Sequence, residues 1–167
     1  MKEVVICEGE PDCLVLLSNG FNAVTSTAGA LTFKEEWLEG LPKQCAVILC
    51  FDADDAGRKG REKVRTMLTE KRPDCTVFDV DFEEYGEDGF DVTDYWRRCA
   101  EKDEDASAGF RSRVKEYNPM DGMEREIADI GEPKQDMSVE QWRPIVQERF
   151  PTLGLLCEAA RDRLRVR

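Results

Sequence analysis

Two short acidic patterns are the places where this sequence carries chemistry: Glu8-Gly9-Glu10-Pro11-Asp12, and some forty residues later Asp52-Ala53-Asp54-Asp55-Ala56-Gly57-Arg58. Carboxylates gathered in one crevice repel each other, by about 4 kcal/mol per pair at 4 Å and an effective dielectric near 20. A divalent cation offsets that repulsion. Mg²⁺ suits it, because it takes oxygen ligands, keeps several waters and bridges to substrate phosphates. Phosphates held in this way are open to in-line attack by a hydroxyl or water.

The chain has no histidine, so Ser-His and Cys-His nucleophile pairs are excluded and catalysis must rest on carboxylates, metal, Lys, Arg or Tyr. Each acid also has a plainer reading. A single acid at a strand end is commonly a helix N-cap, and Asp12 and Asp55 fit that reading as well as a functional one. Arg58 and Lys59, at the start of a helix, fit either a solvated face or a phosphate contact. Tyr95 and Trp96 read as core.

The elements that position these residues follow from the apolar pattern. Val4 to Cys7 is a β-branched run ending at Glu8, and Cys45 to Phe51 is the most hydrophobic stretch, ending at Asp52; both read as buried strands. Between them, Pro11 suits a first helical turn, with Asp12 to Ser18 as the helix and Asn19-Gly20 as its stop. Phe21 to Thr27 is expected as a strand. Thr32-Phe-Lys-Glu35 has the spacing of a capping box opening a helix through Trp37 and Leu38. A helix from about Ala56 to Glu70 and a fourth strand from Cys75 to Phe82 follow. Asp91-Val-Thr-Asp94 then opens a helix through Tyr95.

Strands alternating with helices predict an α/β fold with a parallel, doubly wound sheet of about four strands flanked by helices. Sites in such sheets form beyond the carboxyl ends of the strands, where Glu8 and Asp52 both fall. Because alternate extended residues share a face, Asp52 and Asp54 point to one side if the chain stays extended, and Glu8 joins them if the two strands are neighbours.

Bulk properties narrow the setting. The 167 residues carry 36 Asp and Glu against 24 Lys and Arg, a formal net charge of −12. That balance argues against a free-standing nucleic-acid binder, since phosphate affinity comes mainly from Lys and Arg. Action on DNA or RNA therefore requires metal at the site and basic surface from other domains or subunits. Seven cysteines with no C-x-x-C arrangement are expected as small buried hydrophobes in a reducing cytosol. No apolar run approaches a membrane span, and no signal peptide is expected, so the chain reads as cytoplasmic with no membrane partner.

Val5-Ile-Cys-Glu-Gly-Glu-Pro-Asp12, followed by Ile48-Leu-Cys-Phe-Asp-Ala-Asp-Asp-Ala-Gly-Arg58, resembles the Toprim domain shared by bacterial-type primases, topoisomerases, OLD-family nucleases and recombination proteins. With Gly29 and Trp37 in the intervening segment, it is most similar to the primase and phage primase-helicase branch, over residues 3 to 98. The resemblance implies a Rossmann-like fold, Glu8 as metal ligand or general base and acid, and Asp52 and Asp54 as ligands of Mg²⁺ or Mn²⁺. It implies Asp12 as an auxiliary acid on the substrate side. Primase relatives carry a third cluster of the form Lys-Asp-x-Asp; here Asp91 matches as a further metal ligand, while Thr93 replaces the second acid.

The resemblance further implies nucleotidyl transfer for RNA primer synthesis on single-stranded DNA from nucleoside triphosphates, in a phage or mobile-element setting, with a helicase as a possible partner. Metal-dependent phosphodiester hydrolysis by a Toprim nuclease is the alternative enzymatic expectation, and a non-catalytic nucleic-acid or protein-binding module the third. Residues 1–100 are expected as the catalytic and metal-binding domain. Residues 101–167 are expected as a linker, centred on the polar stretch from Lys102 to Gly109, and a helical extension with helices at 138–150 and 153–165.

Overall fold

The computed structural model describes residues 2–26 and 28–118. Five strands form one sheet in the order β2-β1-β3-β4-β5: β1 Glu3–Cys7, β2 Ala23–Thr25, β3 Ala46–Cys50, β4 Thr76–Asp79 and β5 Lys115–Glu116. β1 to β4 run parallel, and β5 pairs antiparallel with β4. Four helices accompany them: α1 Glu10–Ser18, α2 Asp55–Lys71, α3 Val92–Lys102 and α4 Ala106–Arg113.

Helices on both faces explain why β1 and β3 are continuous apolar runs rather than alternating ones. Val5, Cys7, Ile48 and Cys50 point into one core, which also holds Leu16, Phe21, Tyr95 and Phe110 from α1, the turn after it, α3 and α4. Ile6, Val47 and Leu49 point into the other, against Val64 and Leu68 of α2 and the Phe33 and Leu38 segment. Tyr95 is buried, as the sequence predicts for a core residue.

Several local expectations change. The segment expected as a capped helix through Trp37 is instead two 3₁₀ turns, Ala30–Thr32 and Glu35–Gly40. Thr32 does not cap: its hydroxyl donates back to the Gly29 carbonyl at 2.8 Å. Six residues between extended Lys34 and Leu41 are too few for a stable α-helix, and outside contacts fix the turns instead. Lys63 Nζ donates to Leu31 O at 2.5 Å, and Arg72 to Leu38 O at 2.6 Å.

Strands β2 and β4 are shorter than their apolar patterns suggest. The stretch from Lys102 to Gly109, expected as a linker, contains the start of α4. Asp105 caps that helix by accepting from Ala108 N at 3.0 Å, and Phe110 anchors it, fully buried against Phe21 and Trp96. The polar residues that suggested a linker are the end of α3, Lys102, and the exposed connection Asp103 to Asp105 that leads into α4. The helices expected at 138–150 and 153–165 lie outside the described residues.

No described helix is long and apolar enough to cross a membrane.

Candidate functional site

The register of β1 with β3 pairs Cys7 with Cys50, the last residue of each strand. Glu8 therefore leaves β1 beside Phe51, one residue short of Asp52, and both acids stand at the carboxyl edge of neighbouring central strands. Thr25, at the end of β2, donates its hydroxyl to the Glu8 carbonyl at 2.9 Å and fixes the chain where it turns into α1.

A third segment is brought to the same edge by backbone pairing. Ala53 N donates to Phe90 O at 3.0 Å, and Gly89 N donates to Ala53 O at 3.3 Å. Gly89 sits at φ +74°, a left-handed conformation that glycine adopts without strain, and this turn delivers Asp91 alongside Asp52. Two rings and a guanidinium hold the turn from outside: Tyr85 stacks on Phe90 at 4.5 Å, and Arg98 lies over both.

Two of the acids are held by helix N-termini. Asp54 caps α2, accepting from Gly57 N at 2.7 Å, and Asp91 caps α3, accepting from Asp94 N at 2.7 Å. Capping occupies one carboxylate oxygen of each and aims the group at the partial positive end of a helix, where negative charge is favoured. Asp12, only 5% exposed, accepts from the Thr93 hydroxyl at 2.7 Å and from Thr93 N at 3.3 Å. Thr93 is thus the clamp on Asp12.

The electrostatics record the convergence. Burial pushes the Asp52 carboxyl up to about 8, and the carboxylates of Glu8, Asp12, Asp91 and Asp54 add to the rise. Glu8 is raised by burial, then by Asp54 and Asp12, with nearby backbone N–H groups of Ala30 and Asp52 partly offsetting this. Asp12 and Asp91 are raised, again chiefly by burial. No lysine or arginine is among the leading influences on any of these four groups. Glu8 Oε2 is buried with no hydrogen-bond partner, which is costly for a carboxylate and is relieved by a cation.

Close packing fixes the frame. A Cβ on Gly57 would lie 2.2 Å from the Asp52 carbonyl oxygen, so only glycine lets α2 begin this close to the end of β3. Outside the cluster, Asp55 is exposed and paired with Arg58 at 2.5 Å. Arg58 and Lys59 are exposed on the first turns of α2.

Among the described residues, no three His, Cys, Asp or Glu side chains are grouped closely enough to hold a metal ion. Such an edge fits an ion that retains much of its water shell and shares phosphate oxygens, as Mg²⁺ does, better than a closed protein cage. The orphaned Glu8 oxygen and the raised carboxyls match that donor set. Sequence reasoning missed Thr25, Phe90 and Thr93 as positioning residues. Only the substitution at Thr93 offered a signal.

The profile of the Toprim-like family matches residues 5–95. The DNA primase of Chlamydia pneumoniae is 38% identical over 65 residues, 38% of this chain and 11% of that protein. The DNA primase of Campylobacter jejuni is 37% identical over 78 residues, 46% of this chain and 13% of that protein. The matches thus span little more than a tenth of either relative. Among solved structures, a DNA primase domain from Pseudomonas aeruginosa aligns with a TM-score of 0.59 at 18% identity, covering 92% of this chain and 45% of that one. The zinc-binding and RNA polymerase domains of the Aquifex aeolicus primase align with a TM-score of 0.55 at 22% identity, covering 77% and 29%. At these identities the structural likeness bears on the fold.

Proposed function

The chain belongs to the Toprim-like family, and on that premise we propose that it is the Toprim domain of a DNA primase or primase-helicase, carrying out metal-dependent nucleotidyl transfer for RNA primer synthesis on single-stranded DNA. The observation that most supports this reading is the Asp52 carboxyl, pushed up to about 8 by burial and by the carboxylates of Glu8, Asp12, Asp91 and Asp54. Acids packed this way at the edge of a parallel sheet are costly unless the site works with a cation.

Glu8, Asp52, Asp54 and Asp91 are the residues that would hold Mg²⁺ or Mn²⁺. When bound, the ion supplies charge compensation to the phosphates of a nucleoside triphosphate. Glu8 would take a proton from an attacking hydroxyl, a role its buried, unpartnered oxygen supports. Asp12, clamped by Thr93, sets the field around Asp52 and the approach of substrate. Arg58 and Lys59 offer positive charge at the start of α2 for the phosphate backbone. With a net charge of −12, the chain needs basic surface from other domains or subunits, with a helicase among the candidates, to retain a template.

The test is primer synthesis on a single-stranded DNA template, with ribonucleoside triphosphates and Mn²⁺, by the protein that carries this chain. Loss of primers in Asp52→Ala is the expected result, and undiminished synthesis would reject the reading. An arm without nucleotides separates the hydrolytic alternative: template cleavage that needs Asp52 would assign the site to a nuclease.

A further inference from the structure

Cys45 and Cys75 each precede a strand by one residue and extend the register in which Ala46 pairs with Thr76. Thr76 N donates to the Cys45 carbonyl at 3.0 Å, so the two cysteines lie side by side on adjacent parallel strands. Their sulfurs are 3.4 Å apart, one thiol donating to the other, and no disulfide joins them. Adjacent strands are spaced about 4.8 Å apart, inside the span of roughly 4.4–6.8 Å between Cα atoms that a disulfide bridges. Closing the bond needs side-chain rotation rather than strand movement.

The surroundings suit oxidation. Cys45 is buried, and burial holds its thiol protonated, pushed up to about 11, whereas Cys75 is half-buried and reachable. The Arg72 guanidinium stands near both sulfurs and partly offsets the rise at Cys45. It is fixed there by the carbonyls of Leu38, Leu41 and Pro42 and by both carboxylate oxygens of Asp74. A cavity of about 730 Å³, lined by Glu39, Leu41, Lys43, Gln44, Arg72 and Asp74, opens beside it.

We propose that Cys45 and Cys75 are a redox modification site, at which a hydroperoxide entering beside Arg72 converts the two thiols into an intrachain disulfide joining β3 to β4. Cys75 loses its thiol proton and its thiolate attacks one oxygen of hydrogen peroxide, the simplest hydroperoxide; the O–O bond breaks, Cys75 becomes a sulfenic acid, and the hydroxide released takes up that proton and leaves as water. The Cys45 sulfur then displaces the sulfenic hydroxyl, which departs as a second water with the Cys45 proton. Two thiols lose two electrons, and hydrogen peroxide is reduced to two waters. The bridge lies at the amino end of β3, whereas Asp52 follows its carboxyl end. The inference does not rest on the proposed nucleotidyl transfer.

The experiment treats the full chain with hydrogen peroxide, blocks remaining thiols by alkylation, and maps proteolytic peptides by mass spectrometry with and without a dithiol reductant. The expected result is a Cys45 peptide joined to the Cys75 peptide, lighter by two hydrogens, with free thiols falling by two from the seven in the sequence and returning on reduction. The oxidised protein should unfold at higher denaturant. In Cys45→Ser, Cys75 should remain a sulfenic acid trappable by dimedone. Joining of Cys7 to Cys13 instead, dimers through Cys75, or oxidation of Cys75 with Cys45 left free would each overturn the proposal. The wild-type peptide map decides even if a serine variant fails to fold.

Discussion

Thr93 donates its hydroxyl to Asp12 at 2.7 Å across 81 residues of sequence, joining the first turn of α1 to the first turn of α3. This contact sets a neutral donor inside an acidic cluster. Thr93→Val keeps the shape and deletes the hydroxyl, leaving a buried carboxylate with only its backbone partners at Thr93 and Gly9. A loss of about 1–3 kcal/mol is expected by urea denaturation, with Thr93→Ser restoring most of it. Equal stability of Val and Thr at this position would show that the clamp carries no weight.

The pH dependence of the metal-free protein follows from Asp52. Its carboxyl in the fold titrates near 8, above the ordinary value of 3.8, so between these limits the folded state holds a proton that the unfolded chain releases. Stability present at acid pH is therefore lost as pH rises through that window. The raised carboxyls of Glu8, Asp12 and Asp91 act in the same direction. Thermal unfolding in chelator from pH 5 to pH 8 should show a falling midpoint, and Mn²⁺ should flatten the slope. Asp52→Asn should stabilise the metal-free protein at pH 8 by about 1–3 kcal/mol, part of the full effect being screened by water. A midpoint that rises with pH would contradict this account.

Gly57→Ala tests the frame of the site. The added methyl would meet the Asp52 backbone at 2.2 Å, and backbone on both sides must give way. A destabilisation of about 1–3 kcal/mol is expected, together with weaker Mn²⁺ binding, because Asp52 and Asp54 flank the displaced segment. Alanine at position 56, exposed one residue earlier, is the natural control for a neutral change to serine.

Phe110→Ala tests the placement of α4 in the core. The ring is fully buried and packs edge-on against Phe21 at 5.0 Å. A cost of about 3–5 kcal/mol is expected in chemical denaturation. A cost under 1 kcal/mol would return the stretch from Lys102 to Gly109 to the linker expected from its sequence.

The sheet and its acidic edge were legible because β1 and β3 are apolar runs, each ended by an acid, and the alternation of elements dictates a parallel sheet. The capping of α2 and α3 was hidden by residue type: Asp serves equally as ligand and as N-cap, and only coordinates show Asp54 and Asp91 bonded to Gly57 and Asp94. The Asp12–Thr93 contact was out of reach because nothing local links two residues so distant in sequence. α4 was masked by the charged, exposed run from Glu101 to Asp105 that precedes it, with Phe110 as its one strong apolar signal. The 3₁₀ turns around Trp37 mimic a capped helix in spacing and differ only through the contacts of Lys63 and Arg72.

The central claim is that Glu8 and the aspartates beside it share a divalent cation, and isothermal titration of the chelator-treated chain with Mn²⁺ measures that directly. The account predicts a saturable heat for the wild type that disappears in Glu8→Gln while the fold, followed by circular dichroism, is retained. The same heat in both proteins, or no saturable heat in either, would contradict it.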